Sequence, residues 1–160
     1  MHDAFLSFCK WLENTSWALA ISRSLWAYPV VQMIHFSGLS LWVGTIAAVD
    51  LRFLGPAAQR QPAGEFVRQM APWTWTGFCI ALIGGILLFA ASASAFFINP
   101  AFRVKSALLL IGIAYHILIQ RKARVWGRAG SIPWIARLAT FLELSLWMGV
   151  ITAAVEIPNH

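Results

Sequence analysis

Four long apolar runs dominate the sequence, and they lie at about residues 25–49, 73–98, 101–120 and 135–157. A helix needs roughly 20 apolar residues to cross the hydrocarbon core of a bilayer, so each run is long enough for one span. The 160 residues are 59% hydrophobic and only 11% charged, which is too apolar for a water-soluble core of this size. The sequence therefore predicts an all-α integral membrane protein, a four-helix bundle forming a single transmembrane domain over residues 1–160 in the lipid bilayer.

The segment before the first run predicts a short N-terminal interfacial helix. Asp3 can cap its start, and Phe5, Phe8, Cys9 and Leu12 follow at helical spacing. The polar residues between them face elsewhere. A helix with one apolar face and one polar face is expected to lie in the membrane interface rather than across it.

The distribution of lysine and arginine predicts the orientation in the membrane, because these residues concentrate on the cytoplasmic side. Eight of them follow the first and third runs: Arg52, Arg60, Arg68, Arg121, Lys122, Arg124, Arg128 and Arg137. Four lie on the other side: Lys10, Arg23, Arg103 and Lys105. Both termini are thus expected on the side away from the cytoplasm. Since the net charge of +6 comes from these flanking cations, we expect no nucleic-acid partner.

The first apolar run contains a histidine that shares a helix face with a glycine and a tryptophan. His35, Gly38 and Trp42 follow one another at helical spacing. A glycine one turn from an imidazole leaves space for a planar macrocycle to reach the ring, as in haem-binding helical bundles. The alternative interpretation is a histidine bonded to a neighbouring helix, with Gly38 present for close helix packing.

The third run repeats this arrangement. Lys105, Gly112, His116 and Gln120 share a face, because eleven residues make almost three whole helical turns. Lys105 is interpreted either as an anchor near the membrane surface or as a counter-charge for a haem propionate. His35 and His116 are therefore the candidate axial ligands of a haem b and the candidate metal ligands, with Lys105, Gly38, Gly112 and Trp42 around the cofactor.

The two histidines differ in their predicted depth. His116 lies five residues from Arg121 and thus about 7 to 8 Å inside the cytoplasmic boundary, whereas His35 lies about 22 Å inside it. The sequence leaves open a second arrangement with two separate sites, one with His35 and Lys105 and the other with His116 and Glu143. Glu143 is interpreted either as a structural hydrogen-bond partner or as part of a proton relay.

Two segments of the sequence resemble an uncharacterised family of bacterial four-helix membrane proteins. They are Trp26-Ala27-Tyr28-Pro29 followed by His35, Gly38, Gly44 and Asp50-Leu51-Arg52, and the stretch Pro72-Trp73-Thr74-Trp75-Thr76-Gly77-Phe78. That family is similar to the copper-resistance D-type membrane proteins and to the J-type protoporphyrinogen oxidases. The resemblance implies the bacterial inner (plasma) membrane, and the distribution of lysine and arginine then predicts that both termini are periplasmic.

The tie to the J-type oxidases rests on the third run, where Val104-Lys105 and Tyr115-His116 flank an apolar stretch. Those proteins carry a lysine at this position and are associated with haem b. The additional histidines of the oxidases are missing here, which counts against porphyrinogen oxidation. The Met-rich periplasmic stretches of copper importers are missing too, since the four methionines are scattered.

Three hypotheses about function follow. The leading one is a small haem b protein that transfers electrons to or from a quinone or a redox protein. The second is a transporter of copper or another small solute, with His35, His116 and Met33 as metal ligands. The third is a noncatalytic accessory membrane subunit, whose polar groups only fix helix packing. A homo-oligomer with a haem between two chains is an arrangement that the sequence also allows.

Overall fold

The computed structural model of the protein describes residues 2–55, 62–126 and 132–155. Over these residues the chain is helical, as the apolar runs predict. The helices, in chain order, are α1 (His2–Glu13), α2 (Ser16–Arg23), α3 (Ala27–Leu54), α4 (Ala63–Ala91), α5 (Ala93–Ile98), α6 (Pro100–Trp126) and α7 (Trp134–Val155).

Four of these helices, α3, α4, α6 and α7, are long and apolar enough to cross a membrane. They form a closed ring in which α3 packs on α4, α4 on α6, α6 on α7 and α7 on α3. Large apolar side chains such as Met33, Ile83 and Leu110 are exposed on the outside of the ring, where lipid can contact them. The predicted four-helix membrane bundle with short N-terminal helices is confirmed.

The contact between α3 and α4 is the most extensive in the bundle, and glycines allow it to be close. A Cβ atom at Gly38 would lie 2.5 Å from the Ala81 backbone nitrogen, and one at Gly77 would lie 2.5 Å from the Trp42 backbone nitrogen. Small residues at such positions let two membrane helices approach with their backbones almost in contact. Gly38 and Gly77 thus fix the separation of α3 and α4.

The boundaries of α4 differ from those of the predicted second span. The helix begins at Ala63, ten residues before the predicted start at residue 73, and Pro72 lies inside it. Ala63 and Val67, one turn apart, are buried against Phe53, and this packing favours the longer helix over a loop. Pro72 lacks the N–H that would bond the carbonyl of residue 68. Residue 68 lies on the exposed side of α4, where water can donate a hydrogen bond to its carbonyl in place of the missing N–H.

Side-chain caps position the short connections at the other end of α4. The helix ends at Ala91, and α5 follows after Ser92. The Glu13 carboxylate accepts hydrogen bonds from the Ser94 backbone N–H at 2.7 Å and from the Ser94 hydroxyl at 2.8 Å, so it ties α1 to the first turn of α5. The Asn99 side chain accepts from the Phe102 N–H at 3.2 Å, and Pro100 occupies the first position of α6.

The N-terminal helix α1 divides its apolar residues between two environments. Cys9 is buried, whereas Phe5, Phe8 and Trp11 are exposed. The side of α1 that faces away from the bundle is thus rich in aromatic rings, which suits contact with a membrane interface.

Other boundaries also extend beyond the predicted runs. Helix α3 ends at Leu54, where Gly55 adopts a left-handed conformation with φ of 109° and donates to the Leu51 carbonyl. Helix α6 continues to Trp126, because Ala123 is buried in the bundle. The predicted end of the fourth span at residue 157 and the cations Arg60 and Arg128 lie outside the described residues.

Candidate functional site

His35 is held against α4 by one strong hydrogen bond. Its Nδ1 lies 2.7 Å from the Ala81 backbone oxygen. Because a carbonyl oxygen only accepts, Nδ1 must carry the hydrogen, and in the neutral imidazole the lone pair is then on Nε2. This hydrogen bond therefore determines both the tautomer and the orientation of the ring.

Two consecutive glycines of α4 make room for this ring. A Cβ atom at Gly84 would lie 2.8 Å from the His35 Cβ, and one at Gly85 would lie 3.1 Å from the His35 Cε1. Any larger residue there would push the imidazole away from the Ala81 carbonyl. The sequence analysis missed this role, although an uninterrupted glycine pair in the middle of an apolar run was a visible signal of a close contact.

Lys105 belongs to the same end of the bundle as His35. It is half-buried near the start of α6, and its charge acts on the His35 imidazole. One imidazole and one ammonium group therefore share an environment, which is formed by the start of α3, the end of α4 and the start of α6.

His116 belongs to a different site, a layer of buried polar side chains from three helices. Its Nδ1 lies 2.6 Å from Glu143 Oε1, and its Nε2 lies 3.3 Å from the Gln120 side-chain nitrogen. The Asp50 carboxyl of α3 is close enough to that of Glu143 for the two groups to interact. Asp50, Glu143, His116 and Gln120 are buried, with at most 7% of each residue exposed, and we call these four residues the polar layer.

The polar layer lies between two apolar clusters. On one side are Val49, Phe53, Ala123 and Ala136, and on the other are Trp42, Ile46, Trp147 and Val150. Helices α3, α6 and α7 each contribute residues to the polar layer. The same three helices also supply the two clusters or the residues packed against them. Electrostatic interactions inside the layer are therefore strong, because little water reaches it.

The structure does not bring His35 and His116 together. Asp50 is in the polar layer with His116, and His35 precedes Asp50 by fifteen residues on the single helix α3. Fifteen residues of α-helix span about 22 Å. Of the arrangement with two separate sites, which the sequence left open, the pair His116 and Glu143 comes into contact.

The other predicted cofactor-site residues lie in helix contacts. Gly38 faces Ala81 of α4, and a Cβ atom at Gly112 would lie 3.6 Å from the Trp147 ring. Trp42 packs edge-on against Trp147, with 4.6 Å between ring centroids. A role of these three residues beside a cofactor stays a prediction.

The described residues contain no group of three or more His, Cys, Asp or Glu side chains that could hold a metal ion. Met33, the third copper ligand considered from the sequence, is 69% exposed on the outer surface of α3. Any metal bound at His35 through the described residues would therefore need further ligands from a cofactor or another molecule.

Comparison with known proteins identifies two relationships. The family described as "Family of unknown function (DUF6644)" matches residues 8–158. The Copper transport protein CutJ of Bacillus subtilis (strain 168) is 30% identical over 139 residues, which cover 74% of this chain. The chain spans only 24% of the length of that relative. No solved structure matches the chain.

Proposed function

The chain belongs to the DUF6644 family, whose function is unknown, and we propose that it is a small haem b-binding protein with an electron-transfer role. The observation that carries this proposal is the His35 imidazole, whose Nδ1 donates to the Ala81 carbonyl at 2.7 Å. Histidines that bind metals usually donate their other ring N–H to a carbonyl or carboxylate, which orients the ring and makes the ligating nitrogen more basic. His35 meets this condition, with Nε2 as the ligating atom.

Lys105 supports a haem rather than a bare ion at this site. A haem b carries two propionates, and a half-buried ammonium group near the ligating imidazole can neutralise one of them. The bound haem would supply a one-electron iron couple, and the protein would supply the ligand, the counter-charge and a medium of low polarity. A membrane quinone or a redox protein would be the partner in electron transfer.

His116 is not included in this proposed site. Both of its ring nitrogens are engaged, one with Glu143 and the other with Gln120. Ligation at Nε2 would have to displace Gln120 from a buried position. We therefore assign to this chain one axial ligand, His35.

An absorption spectrum tests the proposal. Protein purified after expression with adequate haem should show a Soret band and, after reduction, an α band. His35→Ala should remove or shift both bands, because among the described residues no other imidazole is held in that place. Ser37→Ala is the matched control, since Ser37 is exposed two residues away and bonds only the Met33 carbonyl in the described structure. A colourless wild-type protein would rule out haem as its cofactor.

Variants of Lys105 extend the same experiment to the propionate. Lys105→Met keeps the apolar stem but loses a charge-assisted hydrogen bond worth about 1.5 to 3 kcal/mol, so haem should dissociate more readily. The midpoint potential should fall, because the loss of a positive charge favours oxidised iron. Lys105→Arg should retain most of both properties. Unchanged haem content and potential in Lys105→Met would show that the lysine only anchors the helix.

We also propose that the His35 end of the bundle faces the periplasm of a bacterial inner membrane. This orientation follows from the eight cations that flank the opposite ends of the long helices, against four on the His35 side. Alkaline phosphatase fused after the last residue should be active, and a fluorescent protein that matures only in the cytoplasm should stay dark. The reverse pair of signals would place the His35 site at the cytoplasmic side.

Copper handling is the second candidate, and it is favoured by the relationship to the Copper transport protein CutJ. Imidazole nitrogen is a suitable copper ligand, and His35 Nε2 would be the ligating atom here as well. Elemental analysis of the same purified samples distinguishes the candidates. Copper in the wild type that is lost in His35→Ala, without a Soret band in either sample, would favour this second function.

A further inference from the structure

The polar layer contains buried oxygen atoms that no described residue satisfies by an ordinary hydrogen bond. They are both carboxyl oxygens of Asp50, Oε2 of Glu143 and Oε1 of Gln120. The two carboxyl groups are nevertheless close enough to interact. Two ionised carboxylates cannot bond, since each only accepts. A proton on one of them turns the contact into a hydrogen bond.

We propose that the polar layer is a proton-binding site within the membrane, in which Asp50 and Glu143 share one proton and His116, by taking up and releasing a proton at Nε2, is the route by which the shared proton exchanges. This inference is independent of the haem proposal, because it concerns different residues at the other end of the bundle. Its basis is the geometry of four side chains from α3, α6 and α7.

The shared proton follows from the surroundings of the two carboxyl groups. Asp50 and Glu143 are 0% and 1% exposed, and apolar clusters lie on both sides of them. Two like charges in contact in such a medium repel strongly, and desolvation adds a further cost for each. One proton removes one charge and supplies the missing donor. The remaining charge, on Glu143, is stabilised by the Nδ1–H of His116 at 2.6 Å.

Gln120 allows His116 to exist in two protonation states. When His116 is neutral, its Nε2 has a lone pair that accepts from the Gln120 amide nitrogen, as the 3.3 Å contact shows. When His116 gains a proton at Nε2, it becomes a donor, and the Gln120 amide can turn to present Oε1. That oxygen is the buried atom of Gln120 without a partner. The proton taken up makes His116 an imidazolium, which pairs with the Glu143 carboxylate.

Other ionisable groups lie on α3, α4 and α6. Helix α3 also contributes the buried Arg52, two residues beyond Asp50, and α6 contributes Tyr115, which donates to the Ala139 carbonyl. The charged residues of α4, Glu65 and Arg68, pair with one another at 3.8 Å on the exposed side. Arg121 and Lys122, which follow Gln120 on α6, are exposed at the end of the bundle from which His116 would exchange its proton.

Infrared spectroscopy of the purified protein in water and in heavy water tests both parts. The wild type should show the C=O stretching band of a protonated carboxyl group, shifted in heavy water, and Asp50→Asn should lose it. Glu65→Gln, at an exposed carboxylate, should retain it. His116→Gln, which preserves a polar side chain beside Glu143, should retain the band. Its shared carboxyl proton should exchange for deuterium more slowly than that of the wild type.

Two results would overturn the proposal. A carboxyl region that is identical in the wild type and Asp50→Asn would show that no proton is shared by the pair. An unchanged exchange rate in a folded His116→Gln variant would show that His116 is not the route. If that variant does not elute as a folded species, the comparison of the wild type with Asp50→Asn and Glu65→Gln still decides the first part.

Discussion

His116→Leu should destabilise the protein by about 3 to 5 kcal/mol, because it leaves the charge on Glu143 buried without its partner. The lost contact is the 2.6 Å hydrogen bond from Nδ1, and Glu143 is only 1% exposed, so water cannot replace the donor without opening the bundle. Leucine is similar in volume to histidine, which limits the contribution of a cavity. Thermal unfolding in detergent, followed by loss of the folded elution peak, measures the effect.

Two further variants identify the cause of this destabilisation. Leu118→Ala changes an exposed position on the same helix and should shift stability little. Adding Glu143→Gln to His116→Leu should restore part of the stability, because the amide carries no charge and its oxygen can still accept from Asp50. Equal stability of the single and double variants would mean that packing, rather than an uncompensated carboxylate, accounts for the loss.

The helices could be predicted from the sequence because their signal is local. Each apolar run needs no information from other helices to be recognised as a span. The ends of the helices depend on tertiary contacts, and it is at these ends that the prediction differed most from the structure. Helix α4 includes Pro72 because Ala63 and Val67 are buried against α3, and a sequence pattern does not show which helix lies opposite.

Asp50 shows what the candidate site required beyond the sequence. It lies one residue beyond the first predicted run, which ends at residue 49, yet the structure buries it fully. A signal was present, since Trp42, Ile46, Asp50 and Phe53 continue the helix face that contains His35 and Gly38. Depth alone correctly separated His35 from His116. The partners of the two histidines, the Ala81 carbonyl for His35 and the Glu143 carboxyl for His116, depend on the register between helices.

Gly38→Ala should destabilise the contact between α3 and α4 by about 1 to 3 kcal/mol, because the added methyl group overlaps with backbone atoms. Its Cβ would lie 2.5 Å from the Ala81 nitrogen and 3.0 Å from the Ala81 Cα. A backbone cannot rotate away as a long side chain can, so α3 and α4 would have to separate. This movement would also stretch the bond between His35 and the Ala81 carbonyl.

Gly44→Ala is the matched control on the same helix, since a Cβ at Gly44 meets no atom of the described residues within 4 Å. It should leave stability unchanged or raise it by up to about 1 kcal/mol, because alanine favours helix more than glycine does. Unfolding temperatures and haem spectra of both variants distinguish the two interpretations of Gly38. A packing role predicts lower stability in Gly38→Ala alone. Normal stability with an altered Soret band would instead place the methyl group against a cofactor, and the helix contact would then not be the reason for glycine at this position.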